Sequence, residues 1–163
     1  MFTTIKQFID EWKNEALATE RVLSALTDES LGQQIAPKLR TLGELGWHLV
    51  TSLAPMLNMT GLKVEGPSFD AQMPASAAEI VQAYRSTSQA VQEAIQQQWT
   101  DENLLQTSNM FGDVWANGVT LSALIKHQIH HRGQMTVLIR QAGLVPPDIY
   151  GPTLEQMEQF SSK

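Results

Sequence analysis

The chain has no cysteine. Disulfides, thiolate metal ligands and an internal cysteine nucleophile are therefore excluded, which fits a reducing compartment. Basic residues are scarce as well: 11 Lys and Arg stand against 17 Asp and Glu, for a formal net charge of -6. No Lys/Arg cluster stands out. Nucleic-acid binders gather such residues on one face, so neither DNA nor RNA is an expected partner. Long apolar runs are also missing. Nothing approaches the roughly 18 unbroken apolar residues that suggest a membrane span. The opening MFTTIKQFIDEWKNE turns polar too early for a signal peptide. A cytoplasmic protein without membrane contact is the expectation. What is there is an ordinary globular composition, with 163 residues, 42% of them hydrophobic and 17% charged. That length suits one domain over 1–163 with a core of its own.

Four long segments carry helical signals. The first runs from about Thr3 to Leu26, with Ile5, Phe8, Ile9, Trp12, Ala16, Leu23 and Leu26 in a helical apolar pattern. The second opens on the capping box Thr41-Leu-Gly-Glu44 and holds Leu42, Leu45, Leu49, Leu53 and Met56 on one stripe. Pro55 should kink or break it. Another box, Ser76-Ala-Ala-Glu79, opens the third, which continues to about Gln98. The fourth starts near Thr120 and stops at Gly143, ahead of Pro146-Pro147. A short terminal helix is expected after Gly151-Pro152, capped by Thr153 with Gln156 completing the box. Links at 61–75 and 100–119 are long and rich in Gly, Asn, Ser or Pro, which allows crossovers within a bundle. The expected fold is all-α: one four-helix bundle with a short C-terminal helix.

Three of the four histidines lie in HQIHHRGQ, residues 127–134. At about 100° per residue, Leu121, Leu124, Ile125, Met135, Leu138, Ile139 and Ala142 share the core side of the fourth helix. His127 and His131 fall on its shoulder, one turn apart, with Cβ atoms about 6 Å from each other. His130 points away. His48 lies at the shoulder of the second helix, between Glu44 and Ser52. If those two helices are neighbours, His48, His127 and His131 converge. Neutral imidazoles suit Zn²⁺, Ni²⁺ or Fe²⁺, and three protein ligands leave a coordination position open for water or substrate. The competing reading is bland. A His-x-x-x-His spacing arises by chance on many helices, and a lone His48 is more often a boundary residue bonded to a carbonyl. Glu44 reads more readily as a cap partner than as a ligand.

HQIHHRGQM followed by AGLVPPDIYGP, together with TLGELGWHLV around the first histidine, resembles the DinB/YfiT-like family of small bacterial helical-bundle proteins. The resemblance implies up-down-down-up connectivity, a homodimer, and a divalent metal on His48, His127 and His131. Nothing catalytic transfers to His130. The resemblance also implies thiol chemistry, since relatives include S-transferases that use bacillithiol, mycothiol or glutathione. The expected function is therefore a metal-dependent thiol S-transferase acting on a small electrophile, with a low-molecular-weight thiol as cosubstrate. A metal-dependent hydrolase of a small ester or amide, and a non-catalytic metal- or ligand-binding stress protein, are the rivals. Arg132 reads as a structural ion-pair residue, or else as a contact for an acidic thiol. Trp115 and Phe111 can line the mouth of the site or simply pack.

Overall fold

The computed structural model describes residues 1–161. Its order is α1 (Ile5–Ser24), a 3₁₀ turn (Asp28–Gly32), α2 (Leu42–Thr51), α3 (Leu53–Asn58), α4 (Ala77–Gln98), a second 3₁₀ turn (Asp101–Leu105), β1 (Thr107–Met110), β2 (Asp113–Ala116), α5 (Asn117–Gln141) and α6 (Leu154–Ser161). α1 packs on α4 and α5, and α2 packs on the same two helices. Phe8, Leu42, Leu49, Leu53, Ile80, Tyr84 and Leu124, all inaccessible to solvent, meet in the core between them. The adjacency of α2 and α5 is the condition on which convergence of the histidines depended.

The apolar periodicity places these helices, and their caps fix where they start. Thr41 Oγ1 accepts from the Glu44 amide at 3.1 Å while Glu44 returns a carboxylate oxygen to the Thr41 amide at 2.7 Å. The same exchange joins Thr153 and Gln156 at the start of α6. Gly143, with φ of 78°, ends α5, and the amides of Gly143 and Leu144 reach back to the carbonyls of Arg140 and Ile139. A left-handed residue at that position satisfies two orphan carbonyls, and glycine adopts it without a Cβ clash.

Three expectations need correction. The chain is mostly helical, as expected, but the segment read as a loop holds β1 and β2, which form a two-stranded antiparallel sheet. Phe111 and Gly112 between them both have positive φ, as a two-residue hairpin turn demands. The last long helix consequently starts at Asn117 rather than near Thr120, directly from the end of β2. There the buried Asn117 side chain donates to the Asn103 carbonyl and accepts from Ser108. The second helix does break at its proline, as expected, after Thr51 and one turn ahead of Pro55. A proline ring clashes with the carbonyl four residues back, which here is that of Thr51. Ser76 occupies the N-cap of α4 without a side-chain hydrogen bond. Asp28, from the first 3₁₀ turn, accepts from the Ala77 amide at 2.7 Å instead.

Among the described residues, no helix is long and apolar enough to cross a membrane.

Candidate metal centre

α2 delivers His48 half-buried, between Leu45 and Leu49, which point into the core. α5 delivers His127 and His131 one turn apart, the first half-buried and the second buried. One buried hydrogen bond joins the two helices next to these rings. Gln128, fully buried, donates from Nε2 to the Leu49 carbonyl at 3.2 Å, and its Oε1 accepts from Tyr84 at 3.2 Å. Gln128 follows His127 in sequence and Leu49 follows His48, so this bond lies beside both rings.

The three imidazoles face one another. His48 Nε2 and His127 Nε2 are 3.0 Å apart. Ring centroids are separated by 4.9 Å (His48 and His127), 4.8 Å (His48 and His131) and 4.5 Å (His127 and His131). One ring nitrogen from each lies within 4.8 Å of the others. Two nitrogens on one tetrahedral Zn²⁺, at bonds of about 2.1 Å, are about 3.4 Å apart. The trio is therefore near the spacing of a shared ion without being collapsed onto one.

The donor set fits such an ion. Gln134 Oε1 accepts from His131 Nδ1 at 2.7 Å. An amide oxygen only accepts, so the proton sits on Nδ1 and the Nε2 lone pair is left free. His127 Nδ1 is buried and has no hydrogen-bond partner among the described residues. Burial, assisted by the Arg40 guanidinium and His131, pulls the His48 pKa down to about 4. Burial, with the neighbouring imidazoles, brings His127 to about 4 as well. His131 is lowered by burial, partly offset by its bond to Gln134. All three rings are thus neutral at pH 7, the form in which imidazole coordinates a metal.

His130 is exposed on the far side of His131, its ring centroid 4.9 Å away, and it is not one of the converging ligands. Glu44 is occupied at its cap. Arg132 is buried and ion-paired to Glu15 of α1. It also donates to the Glu15 carbonyl at 2.6 Å and to Thr19 Oγ1 at 3.0 Å. Tyr150 OH joins the same carboxylate at 2.7 Å. The ion-pair role for Arg132 is the one the structure displays. Trp115 packs against the core, and the exposed Phe111 ring lies 6.3 Å from that of Phe69. Neither lines the cavity of about 550 Å³ that opens beside His130, His131 and Gln134.

Gln128, Gln134, Glu15 and that cavity were not anticipated. Two of these residues left a trace in the sequence. Gln128, like Arg132, occupies a core position of the α5 apolar stripe, where a polar side chain must find a buried partner. Gln134, at i+3 from His131, stands on the same helix face.

The DinB family model matches residues 1–162. The chain is 44% identical over 160 residues to the uncharacterized protein YrdA of Bacillus subtilis, covering 98% of this chain and 96% of that protein. It is 47% identical to a DinB-like protein of Bacillus cereus known from a crystal structure, with a TM-score of 0.88 over 92% of this chain and 100% of that one. A second DinB-like crystal structure, of Bacillus subtilis YjoA, has a TM-score of 0.70 over 90% of this chain and 99% of its own. At 20% identity that likeness is one of fold alone.

Proposed function

Since the chain belongs to the DinB family, and since three of its imidazoles share one space, we propose that it binds a divalent metal through His48, His127 and His131 and transfers a small thiol to an electrophile. The observation that carries the reading is the convergence of those three rings. When bound, the ion supplies Lewis acidity that lowers the pKa of a coordinating thiol. The chain's own residues prepare the site. Burial keeps His48 and His127 neutral, and Gln134 fixes His131 as an Nε2 donor. Gln128 holds α5 against α2 so that the rings stay opposed. The absence of cysteine means that the nucleophilic sulfur must come from a cosubstrate. In the transfer the S–H bond breaks and an S–C bond forms, with the leaving group and one proton released.

In the same reading the chain is a homodimer of single-domain, up-down-down-up four-helix subunits, working in the cytoplasm on a small-molecule substrate. Zn²⁺, Ni²⁺ and Fe²⁺ all suit its nitrogen ligands. The test is to load the protein with each metal and incubate it with a panel of small electrophiles. Bacillithiol, mycothiol, glutathione or coenzyme A is added in turn, and products are followed by mass spectrometry. A thiol adduct that requires both metal and thiol, and is lost in His131→Ala, is expected. Water addition without thiol would replace this reading with a hydrolase. Metal binding without turnover would replace it with a non-catalytic binding protein.

A further inference from the structure

The cavity beside His131 has a chemistry of its own. Its volume, about 550 Å³, falls within the ~300–1,000 Å³ of small-molecule sites. Leu45 and Leu138 form its buried apolar wall, and Ile35, Leu39 and Val137 stand at its rim. Those three remain 58%, 54% and 49% exposed, which is costly for large aliphatic side chains left in water together.

Two further features mark this cavity. Arg40 lines it, and among the described residues its guanidinium has no hydrogen-bond or ion-pair partner, although acidic residues outnumber basic ones by 17 to 11. Gly133 also lines the cavity, in the interior of α5, where glycine disfavours helix. Packing does not require it, because a Cβ built there meets no atom within 4 Å. The missing side chain leaves that part of the cavity open.

We propose that this cavity binds a small amphipathic carboxylate, its aliphatic or aromatic body against Leu45, Val137 and Leu138 and its carboxylate paired with Arg40. Such an anion also relieves the repulsion between Arg40 and a cation held by the histidines. That the bound molecule is the reacting substrate rests on the proposed transferase reading; that the cavity selects such an anion does not.

The experiment uses the full chain, freed of metal by chelator and then dialysed, so that carboxylate coordination to an ion makes no contribution. Octanoate, octan-1-ol and octylamine are titrated calorimetrically. Octanoate should bind roughly two- to fivefold more tightly than the alcohol, as one solvent-exposed charge pair provides, and the amine more weakly still. Arg40→Gln should abolish the preference for octanoate over octanol. Gly133→Leu should weaken both ligands, whereas Gly133→Ala should melt at a higher temperature than wild type, which separates filling of the cavity from damage to the helix. Equal binding of octanoate and octylamine, or an unchanged preference in Arg40→Gln, would overturn the assignment. So would failure of octanoate to bind a protein that sediments as a dimer but becomes monomeric in Leu39→Asp, since a second copy would then cover the cavity. Metal titration of the same preparation tests the metal site separately. Loss of metal binding with octanoate selectivity intact refutes only the transferase reading.

Discussion

At His131 the Nδ1 proton is committed to Gln134 Oε1, and this decides which nitrogen is left as a ligand. The neighbouring His130 differs from it by one step of about 100° around the helix, and that step carries its ring out to solvent. The two residues therefore separate in a titration. Alanine at His48, His127 or His131 should each sharply weaken Zn²⁺ binding, because two imidazoles hold the ion far less well than three. His130→Ala should bind as wild type does. Gln134→Leu keeps the ligand but frees its tautomer, and a lost orienting partner typically costs about 10- to 100-fold in metal affinity. Calorimetric titration of the five variants reads all of this. Loss of the metal in His130→Ala with retention in His127→Ala would show that the helical phase is wrong.

Between elements, the least exposed charge among the described residues does the joining. Arg132 is 1% exposed, and with Glu15 it ties α5 to α1 one residue away from His131. Removing one member of a buried pair strands the other's charge, at a cost of about 3–5 kcal/mol. Glu15→Leu and Arg132→Met should each lose stability on that scale in urea unfolding, while the double variant Glu15→Leu/Arg132→Met should lose markedly less than their sum. Additive losses would mean that the two charges do not depend on each other. Half of this pair was legible beforehand. The α5 stripe placed Arg132 on the core side, but nothing near Glu15 in sequence distinguishes it from the exposed Asp10 and Glu11 of the same helix. The histidine trio was legible because helical phase is local and only one tertiary fact, the adjacency of α2 and α5, was needed. The hairpin was not. Its strands TSNM and DVWA are four residues each without a clear apolar alternation, and Phe111 stands where a turn of that kind prefers Asn or Gly. The Asp28 cap on α4 joins residues 49 apart in sequence, beyond the reach of any capping-box pattern.

For the whole molecule, the same three rings link folding to pH. In the unfolded chain each histidine titrates near its ordinary pKa of about 6.5. In the metal-free fold His48 and His127 do so at about 4, and His131 is also lowered, with burial the largest cause for each. Between those values the unfolded state binds more protons than the folded one, so stability falls as pH falls from about 6.5 towards 4 and is fully restored above that window. The Glu155 carboxyl, held at about 2 chiefly by its hydrogen bond from Arg140, acts only at lower pH and does not obscure the range from 5 to 7. A bound divalent ion stabilises the fold in proportion to its occupancy, and its ligands must be deprotonated, so metal should steepen the same dependence. The urea midpoint of metal-free wild type should therefore drop between pH 7 and pH 5. The drop should shrink in the His48→Ala/His127→Ala double variant and grow when Zn²⁺ is present in excess. A wild-type midpoint that is flat over this range, or a double variant that falls just as steeply, would place the three rings outside the buried, neutral cluster described above.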